Sequence, residues 1–130
     1  MAVKILIVDD SKTVRLVLLK ALQPYDCVVS EACDGAEGLA AVARERPDLI
    51  LLDLSMPVMD GERMLKSMRA HAELKSIPII LVTSEADAAD ALRVAKLGVW
   101  DVVVKPFRED DLLKRVATVV PLVKRQASAE

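Results

Sequence analysis

The sequence is poor in the residues that mark several protein classes. Its 130 residues hold only three aromatic side chains, one histidine and two cysteines, and 18 basic residues against 20 acidic ones leave a net charge of -2. There is thus no global basic field to attract nucleic acid or an anionic membrane. No apolar run approaches the roughly 18 residues that indicate a transmembrane helix, and the N-terminus, MAVKILIVDD, lacks the layout of a signal peptide. We therefore expect a cytoplasmic protein without membrane insertion or direct nucleic-acid contact.

The two cysteines do not indicate a metal or redox site. Cys27 and Cys33 lack the spacing of a zinc site or a CxxC pair, so we interpret both as reduced, partly buried thiols. The apolar fraction of 53% is supplied mainly by Val, Leu, Ile, Ala and Met. This composition predicts one globular domain with an aliphatic core.

Five short apolar runs alternate with five amphipathic stretches along the chain. The runs are VKILIV (3–8), CVVSEA (27–32), DLILL (48–52), IPIILV (77–82) and DVVV (101–104). Their length and weak alternation are typical of parallel strands buried on both faces, whereas the stretches between them repeat apolar residues at helical spacing. The pattern predicts a doubly wound α/β fold, (βα)5, over residues 1–122. Residues 123–130 are predicted to form a polar C-terminal tail or the start of a linker.

Four of the five predicted strands end in polar side chains. These are Asp9-Asp10 after strand one, Asp53 after strand three, Thr83-Ser84 after strand four and Lys105-Pro106 after strand five. Ligands of such sheets bind at the carboxyl ends of the strands, and an order of 2-1-3-4-5 would bring these four ends together. Singly, each residue has an ordinary role as a helix cap or a strand-end charge. In combination they predict a site centred on Asp53.

Three carboxylates at one edge of a sheet need a counter-charge. Two charges about 4 Å apart repel by about 4 kcal/mol at an effective dielectric constant of about 20, and Lys105 alone cannot neutralise three acids. Mg²⁺ can, since it commonly takes one or two carboxylates and keeps several waters. A metal beside a carboxylate nucleophile, with a lysine and a hydroxyl opposite, is suited to phosphoryl transfer.

The sequence resembles the receiver domains of bacterial two-component response regulators, the CheY-like proteins. The resemblance runs from residue 3 to about residue 120 and is carried by ILIVDDS, LLDLSMPVMDG, PIILVTSE and VVVKPF. It implies a flavodoxin-like sheet in the order 2-1-3-4-5 and a phosphorelay function, in a signalling module rather than an enzyme. The implied partners are a sensor histidine kinase or histidine phosphotransfer protein, and a downstream protein or output domain that the sequence does not name.

The resemblance also implies a role for each strand-end residue. Asp53 would accept a phosphoryl group from a phosphohistidine, Lys105 would contact that group, and Thr83 would hydrogen-bond it and draw the following loop inward. The implied Mg²⁺ ligands are Asp10, Asp53 and the backbone carbonyl of Ser55, with Asp9 acting largely through water. The expected result is a switch in the surface of the fourth helix, fifth strand and fifth helix.

The resemblance predicts three further local features and meets one exception. The loop MPVMDG is expected over the site, Gly61 is expected to open the third helix, and the Lys105–Pro106 bond is expected to be cis. Three residues before the lysine the family usually has Tyr or Phe, whereas this chain has Val102. The familiar aromatic switch is therefore in question. Nearby Trp100 is either a partner-facing anchor or a plug at the end of the fourth helix.

A phosphatase of the haloacid dehalogenase type is the first alternative. It also uses an Asp nucleophile, Mg²⁺, Ser or Thr and Lys, but it normally has a second Asp two residues after the nucleophile, where this chain has Ser55. Turnover of a phosphomonoester that is lost in Asp53→Asn would favour this alternative.

A small nucleotide- or flavin-binding domain is the second alternative. It would require a glycine-rich loop after strand one, where DDSKT has no glycine. Tight cofactor binding without a divalent cation would favour it. The third alternative is a receiver domain cut from a longer regulator, which the sequence does not distinguish from a single-domain protein.

Overall fold

Strands and helices alternate along the whole described chain. The computed structural model describes residues 2–126, and its elements are β1 (Val3–Val8), α1 (Lys12–Leu22), β2 (Cys27–Ala32), α2 (Gly35–Glu45), β3 (Leu49–Leu52), α3 (Gly61–Arg69), β4 (Ile79–Ser84), α4 (Ala88–Ala95), β5 (Asp101–Lys105) and α5 (Glu109–Ala117). The strands form one parallel sheet in the order β2-β1-β3-β4-β5. The predicted (βα)5 fold and strand order are confirmed.

The sheet is buried on both faces, which explains the unbroken apolar runs. Along β3, Leu49 and Leu51 pack with residues of α1 and α5, whereas Ile50 and Leu52 pack with residues of α2, α3 and α4. Successive side chains of a strand point to opposite faces, so a strand covered on both sides needs an apolar residue at every position. No helix within residues 2–126 has the length and apolar character needed to cross a membrane.

Side-chain caps begin the helices that flank the predicted site. The carboxylates of Asp34 and Asp60 accept hydrogen bonds from the N–H groups of Glu37 (2.8 Å) and Arg63 (2.9 Å), and Ser11 caps α1 in the same way. Ser and Asp are among the residues that most often cap a helix in this way. Lys105–Pro106 is cis, as the resemblance implies.

The cysteines differ in environment. Both are free, and Cys27 is buried whereas Cys33 is exposed. The expectation that both thiols are partly buried is therefore wrong for Cys33, which lies beyond the end of the edge strand β2. Its Sγ–H donates to Glu37 Oε2 at 3.4 Å, and this hydrogen bond raises the pKa of the Cys33 thiol. A thiol held protonated in this way is a poor nucleophile.

The chain after α5 turns back to the start of β2. The N–H of Asp26 donates to the Val123 carbonyl at 2.7 Å, and that of Arg125 donates to the Pro24 carbonyl at 2.9 Å. The Arg125 guanidinium also donates to the carbonyl of Cys27 at 2.9 Å. The predicted division between the domain (1–122) and the tail or linker (123–130) stays a prediction, and residues 127–130 lie outside the described residues.

Gly61 opens α3 against the backbone that carries Asp53. Its N–H donates to the carbonyl of Leu54 at 2.8 Å, which draws the loop MPVMDG back toward the end of β3. A Cβ at residue 61 would overlap the carbonyl oxygen of Asp53 and lie 3.0 Å from Leu54 Cα. The predicted start of α3 is confirmed, and the close approach explains why the residue is glycine.

We predict that Gly61→Ala destabilises the fold by about 2 kcal/mol or more, because a methyl group forced against backbone atoms requires the chain to shift. Urea-induced unfolding measures this cost. Gly38→Ala in α2 is the matched control: its Cβ would meet Met64 Sδ at 2.8 Å, but a flexible side chain can move and alanine favours the helix. Equal losses of stability in the two variants would contradict the explanation.

Candidate functional site

The carboxyl ends of β1, β3, β4 and β5 lie side by side at one edge of the sheet. Val8 is paired in register with Leu52, and Ser84 with Lys105. The N–H of Asp53 donates to the carbonyl of Val8 at 2.9 Å, so the two acidic strand ends are joined by the sheet itself. Strand pairing alone therefore places the sequence-predicted residues at the same edge.

The three predicted acids form one cluster. One carboxylate oxygen from each of Asp9, Asp10 and Asp53 lies within 4.8 Å of the others. Asp9 and Asp53 are buried, with 2% and 6% of their surface exposed, whereas Asp10 is exposed. Three hard oxygen donors, one of them open to solvent, are a suitable donor set for Mg²⁺, which prefers carboxylates and retained waters.

Lys105 is the cation that approaches the buried acids. Its Nζ lies 3.1 Å from Asp9 Oδ2 and 3.6 Å from Asp53 Oδ1. The carboxylate of Asp9 also accepts a hydrogen bond from the N–H of Ser11 at 2.9 Å. Lys105 therefore pairs most closely with Asp9, and its positive charge neutralises the Asp53 carboxylate less fully.

The pKa of Asp53 shows the resulting imbalance. Burial, followed by the charge of Asp9, raises the pKa of the Asp53 carboxyl to about 6, against the opposing effects of Lys105 and the Leu54 N–H. The N–H of Leu54 donates to Asp53 Oδ1 at 2.9 Å. A carboxylate with a raised pKa is one that its surroundings do not fully stabilise, which is common in functional sites.

Thr83 carries an unsatisfied hydroxyl. It is fully buried in β4, and within residues 2–126 its Oγ1 is the buried side-chain oxygen or nitrogen atom that lacks a hydrogen-bond partner. An unpaired buried hydroxyl costs free energy that a ligand bond can recover. The end of β4 thus carries a hydroxyl that has no partner among the described residues. The neighbouring strand β3 is followed by the Asp53 carboxylate, whose negative charge is only partly neutralised.

Arg15, which was not predicted as a site residue, connects two strand ends. Its Nη1 donates to the carbonyl of Asp9 at 2.7 Å, and its Nε donates to Glu31 Oε1 at 2.9 Å. The end of β2, which the sequence left without a partner, is thereby tied to the end of β1. A basic residue one turn into a helix that begins beside two acids was the available signal.

A second missed contact joins the loop after β3 to the loop after β4. Ser55, predicted as a metal ligand through its backbone carbonyl, donates its hydroxyl to Asp87 Oδ2 at 2.8 Å. Ser84 Oγ donates to the same oxygen at 3.2 Å. Nothing in the sequence spacing indicates a contact between residues 32 positions apart.

Val102 and Trp100 differ in exposure. Val102 is partly buried against the core, whereas Trp100 is 56% exposed and its indole N–H donates to Thr118 Oγ1 at 3.0 Å. This exposure favours the partner-facing interpretation of Trp100 over that of a plug, and the interpretation stays a prediction.

Comparison with known proteins identifies the domain. The family model of the response regulator receiver domain matches residues 5–117. The chain belongs to this family. Receiver domains are in general signalling modules of phosphorelays rather than enzymes, and they interact with histidine kinases or phosphotransfer proteins and with downstream targets. The family, the fold and the phosphorelay function predicted from the sequence are therefore confirmed.

The receiver domain has relatives of different lengths. It is 34% identical over 117 residues to Protein PilH of Pseudomonas aeruginosa, covering 90% of this chain and 97% of PilH. It is 35% identical over 125 residues to the probable transcriptional regulator ycf27 of Porphyridium aerugineum, covering 96% of this chain but 51% of that protein. The chain spans about half the length of the first curated relatives that it matches.

A solved relative has the same fold. The chemotaxis protein CheY4 of Vibrio cholerae superimposes with a TM-score of 0.83 at 33% identity, covering 92% of this chain and 100% of that one.

We predict that Asp53→Asn stabilises the metal-free protein, and more at pH 8 than at pH 5. The pKa of Asp53 is about 6 in the folded chain against an ordinary 3.8. The wild type therefore loses stability as the pH rises from 3.8 to about 6, the range in which the unfolded chain has released this proton and the folded chain still holds it. The gain on removing the charge should be about 3 kcal/mol at pH 8 and about half of that at pH 5.

Urea unfolding in EDTA at the two pH values measures this difference. Asp26→Asn, at the opposite end of the sheet, is the control for the loss of one surface charge. A gain from Asp53→Asn that did not change between pH 5 and pH 8 would contradict the origin assigned to it.

Proposed function

We propose that this receiver domain accepts a phosphoryl group on Asp53 from the phosphohistidine of a sensor histidine kinase or histidine phosphotransfer protein. A carboxylate oxygen of Asp53 forms the new O–P bond, the P–N bond of the donor breaks, and the imidazole leaves with the electron pair. The observation that supports this most is the buried Asp53 carboxylate, incompletely neutralised, with Lys105 Nζ at 3.6 Å.

Mg²⁺ is the proposed cofactor, and the acids present fit it. Asp10, Asp53 and the backbone carbonyl of Ser55 would hold the ion, with Asp9 acting largely through water. When bound, the ion neutralises charge on the transferring oxygens. The cluster of three carboxylate oxygens within 4.8 Å supports this donor set.

Lys105 and Thr83 are proposed to hold the transferred group. The ammonium of Lys105 already lies within 3.6 Å of Asp53 Oδ1, so a small movement away from Asp9 brings it to a phosphoryl oxygen. Within residues 2–126 the Thr83 hydroxyl has no partner to give up, which makes a hydrogen bond to that group favourable. Phosphorylation thereby supplies contacts that differ between the two states, which any switch requires.

The proposed output is a change in the surface formed by α4, β5 and α5. This surface carries exposed apolar side chains, Leu92, Trp100 and Val104, which suit contact with a downstream protein or output domain. Valine at position 102 has a short, stiff side chain, so β5 has no ring there to exchange places with Thr83. The signal is therefore proposed to leave through the loop after β4.

We predict that the wild-type chain, incubated with acetyl phosphate and Mg²⁺, gains the mass of one phosphoryl group on Asp53. Asp53→Asn should not gain it, because the amide is not a nucleophile. Intact mass and peptide mapping measure the product.

Two variants test the metal cluster in the same assay. Asp10→Asn should require more Mg²⁺ for the same extent of reaction, whereas Glu31→Gln, at the edge strand β2, should react like the wild type. An adduct that mapped to another residue, or that formed equally well in EDTA, would refute the proposal.

We also predict where phosphorylation changes the structure. Amide NMR shifts with and without a stable phosphoryl mimic should change strongly over residues 84–90 and weakly over residues 100–104, because Thr83 acts on the first segment and Val102 has no ring to move. Changes at Trp100 and Val102 as large as those at Glu85 and Ala86 would show that β5 switches by another route.

A further inference from the structure

Asp87 differs from the other aspartates that begin helices in this chain. The carboxylates of Asp34 and Asp60 each bond the third N–H of their own helix, whereas Asp87, the first residue before α4, makes no such bond. A capping bond typically stabilises a helix. The carboxylate of Asp87 is therefore used elsewhere, and in the turn before α4 it is the hydroxyl of Ser84 that accepts a backbone N–H, that of Asp87.

The Asp87 carboxylate instead spans two loops of the site. Its Oδ2 accepts the hydroxyl of Ser55 at 2.8 Å, from the loop that follows Asp53, and the hydroxyl of Ser84 at 3.2 Å, from the end of β4. The backbone N–H of Asp87 donates to both Ser84 Oγ (3.2 Å) and the Ser84 carbonyl (3.1 Å). One side chain thus holds the loop of the nucleophile to the first turn of α4.

This contact opposes the movement that the proposed function requires. Ser84 follows Thr83 directly in β4, so a displacement of Thr83 toward a phosphoryl group carries Ser84 with it. Ser55 stays near Asp53 because it is two residues away on the same loop. Since Asp87 bonds both serines, its hydrogen bonds cannot all keep their lengths when one serine moves relative to the other.

We propose that Asp87 is a positioning residue whose hydrogen bonds to Ser55 and Ser84 hold the unphosphorylated arrangement of the two loops and thereby oppose phosphoryl binding. The proposal rests on the proposed function, since it deepens the account of the same site. A contact made only in the resting state shifts the equilibrium toward that state, and its removal favours the other.

The test measures the affinity for beryllofluoride, a phosphoryl mimic, at saturating Mg²⁺ by amide NMR. Asp87→Ala should bind the mimic about three- to tenfold more tightly than the wild type. Ser55→Ala should show a similar gain without any change in charge, which separates the hydrogen bond from a simple loss of negative charge near the site. In both free variants the amide shifts of residues 84–90 should move toward their values in the mimic-bound wild type.

A double variant and a matched control complete the design. If one contact is responsible, Ser55→Ala with Asp87→Ala should bind no more tightly than Asp87→Ala alone. Asp90→Ala removes a charge from the same helix, where Asp90 pairs with Arg93, and it should bind like the wild type. If Asp87→Ala does not fold, Asp87→Asn takes its place, because asparagine has nearly the same size as aspartate. The neutral amide oxygen is a weaker acceptor than a carboxylate, so the affinity for the mimic should rise by a smaller factor.

The outcomes separate this role from the proposed function. Either of two results would overturn the positioning role while the phosphoryl site stood. In the first, Asp87→Ala or Asp87→Asn binds the mimic with the same affinity as Asp90→Ala. In the second, the effects of the Ser55 and Asp87 substitutions are fully additive. A wild-type chain that bound no mimic at all would refute the proposed function, and the positioning role with it.

Discussion

The repulsion among buried carboxylates is the constraint on which the rest of this structure depends. Asp53 and Asp9 are ionisable groups placed at the end of an apolar sheet, and burying an ionised carboxylate is costly unless it is paired. Lys105 supplies one positive charge for the two. This edge of the sheet therefore lacks positive charge, which a divalent cation would supply. In the absence of that cation the fold must be rigid enough to hold the acids together.

The rigidity comes from the sheet and from the helix that begins beside it. Paired backbone at Val8 and Leu52 fixes the separation of the two acidic strand ends, and Gly61 lets the start of α3 pack directly on the backbone of Asp53. Helices on both faces bury every residue of β3. The destabilising charge cluster thus follows a strand whose residues are all buried, as expected where function and stability conflict.

Most of the fold and of the acidic site could be predicted from the sequence, because the patterns that specify them are local. Unbroken apolar runs specify strands covered on both faces, and parallel strands bring their carboxyl ends to one edge, so Asp9, Asp53 and Lys105 could be brought together by topology alone. A contact between side chains of different loops leaves no periodic pattern in the sequence. The bonds of Arg15 to β1 and β2, and of Asp87 to Ser55, depend on where the loops lie, and for that reason they escaped prediction.

Two adjacent residues at the end of β4 explain where the domain can change shape. Thr83 is buried and its hydroxyl has no hydrogen-bond partner among the described residues, whereas Ser84 bonds Asp87 through its hydroxyl and its carbonyl. In the proposed function Thr83 gains a hydrogen bond by moving toward a phosphoryl group, whereas Ser84 loses hydrogen bonds by moving away from Asp87, so the two residues act on the loop after β4 in opposite directions. Val102, on the neighbouring strand β5, has neither an aromatic ring nor a polar group with which to affect the position of this loop. If both proposals hold, the equilibrium of this loop depends on the competition between one new bond to Thr83 and the existing bonds of Asp87.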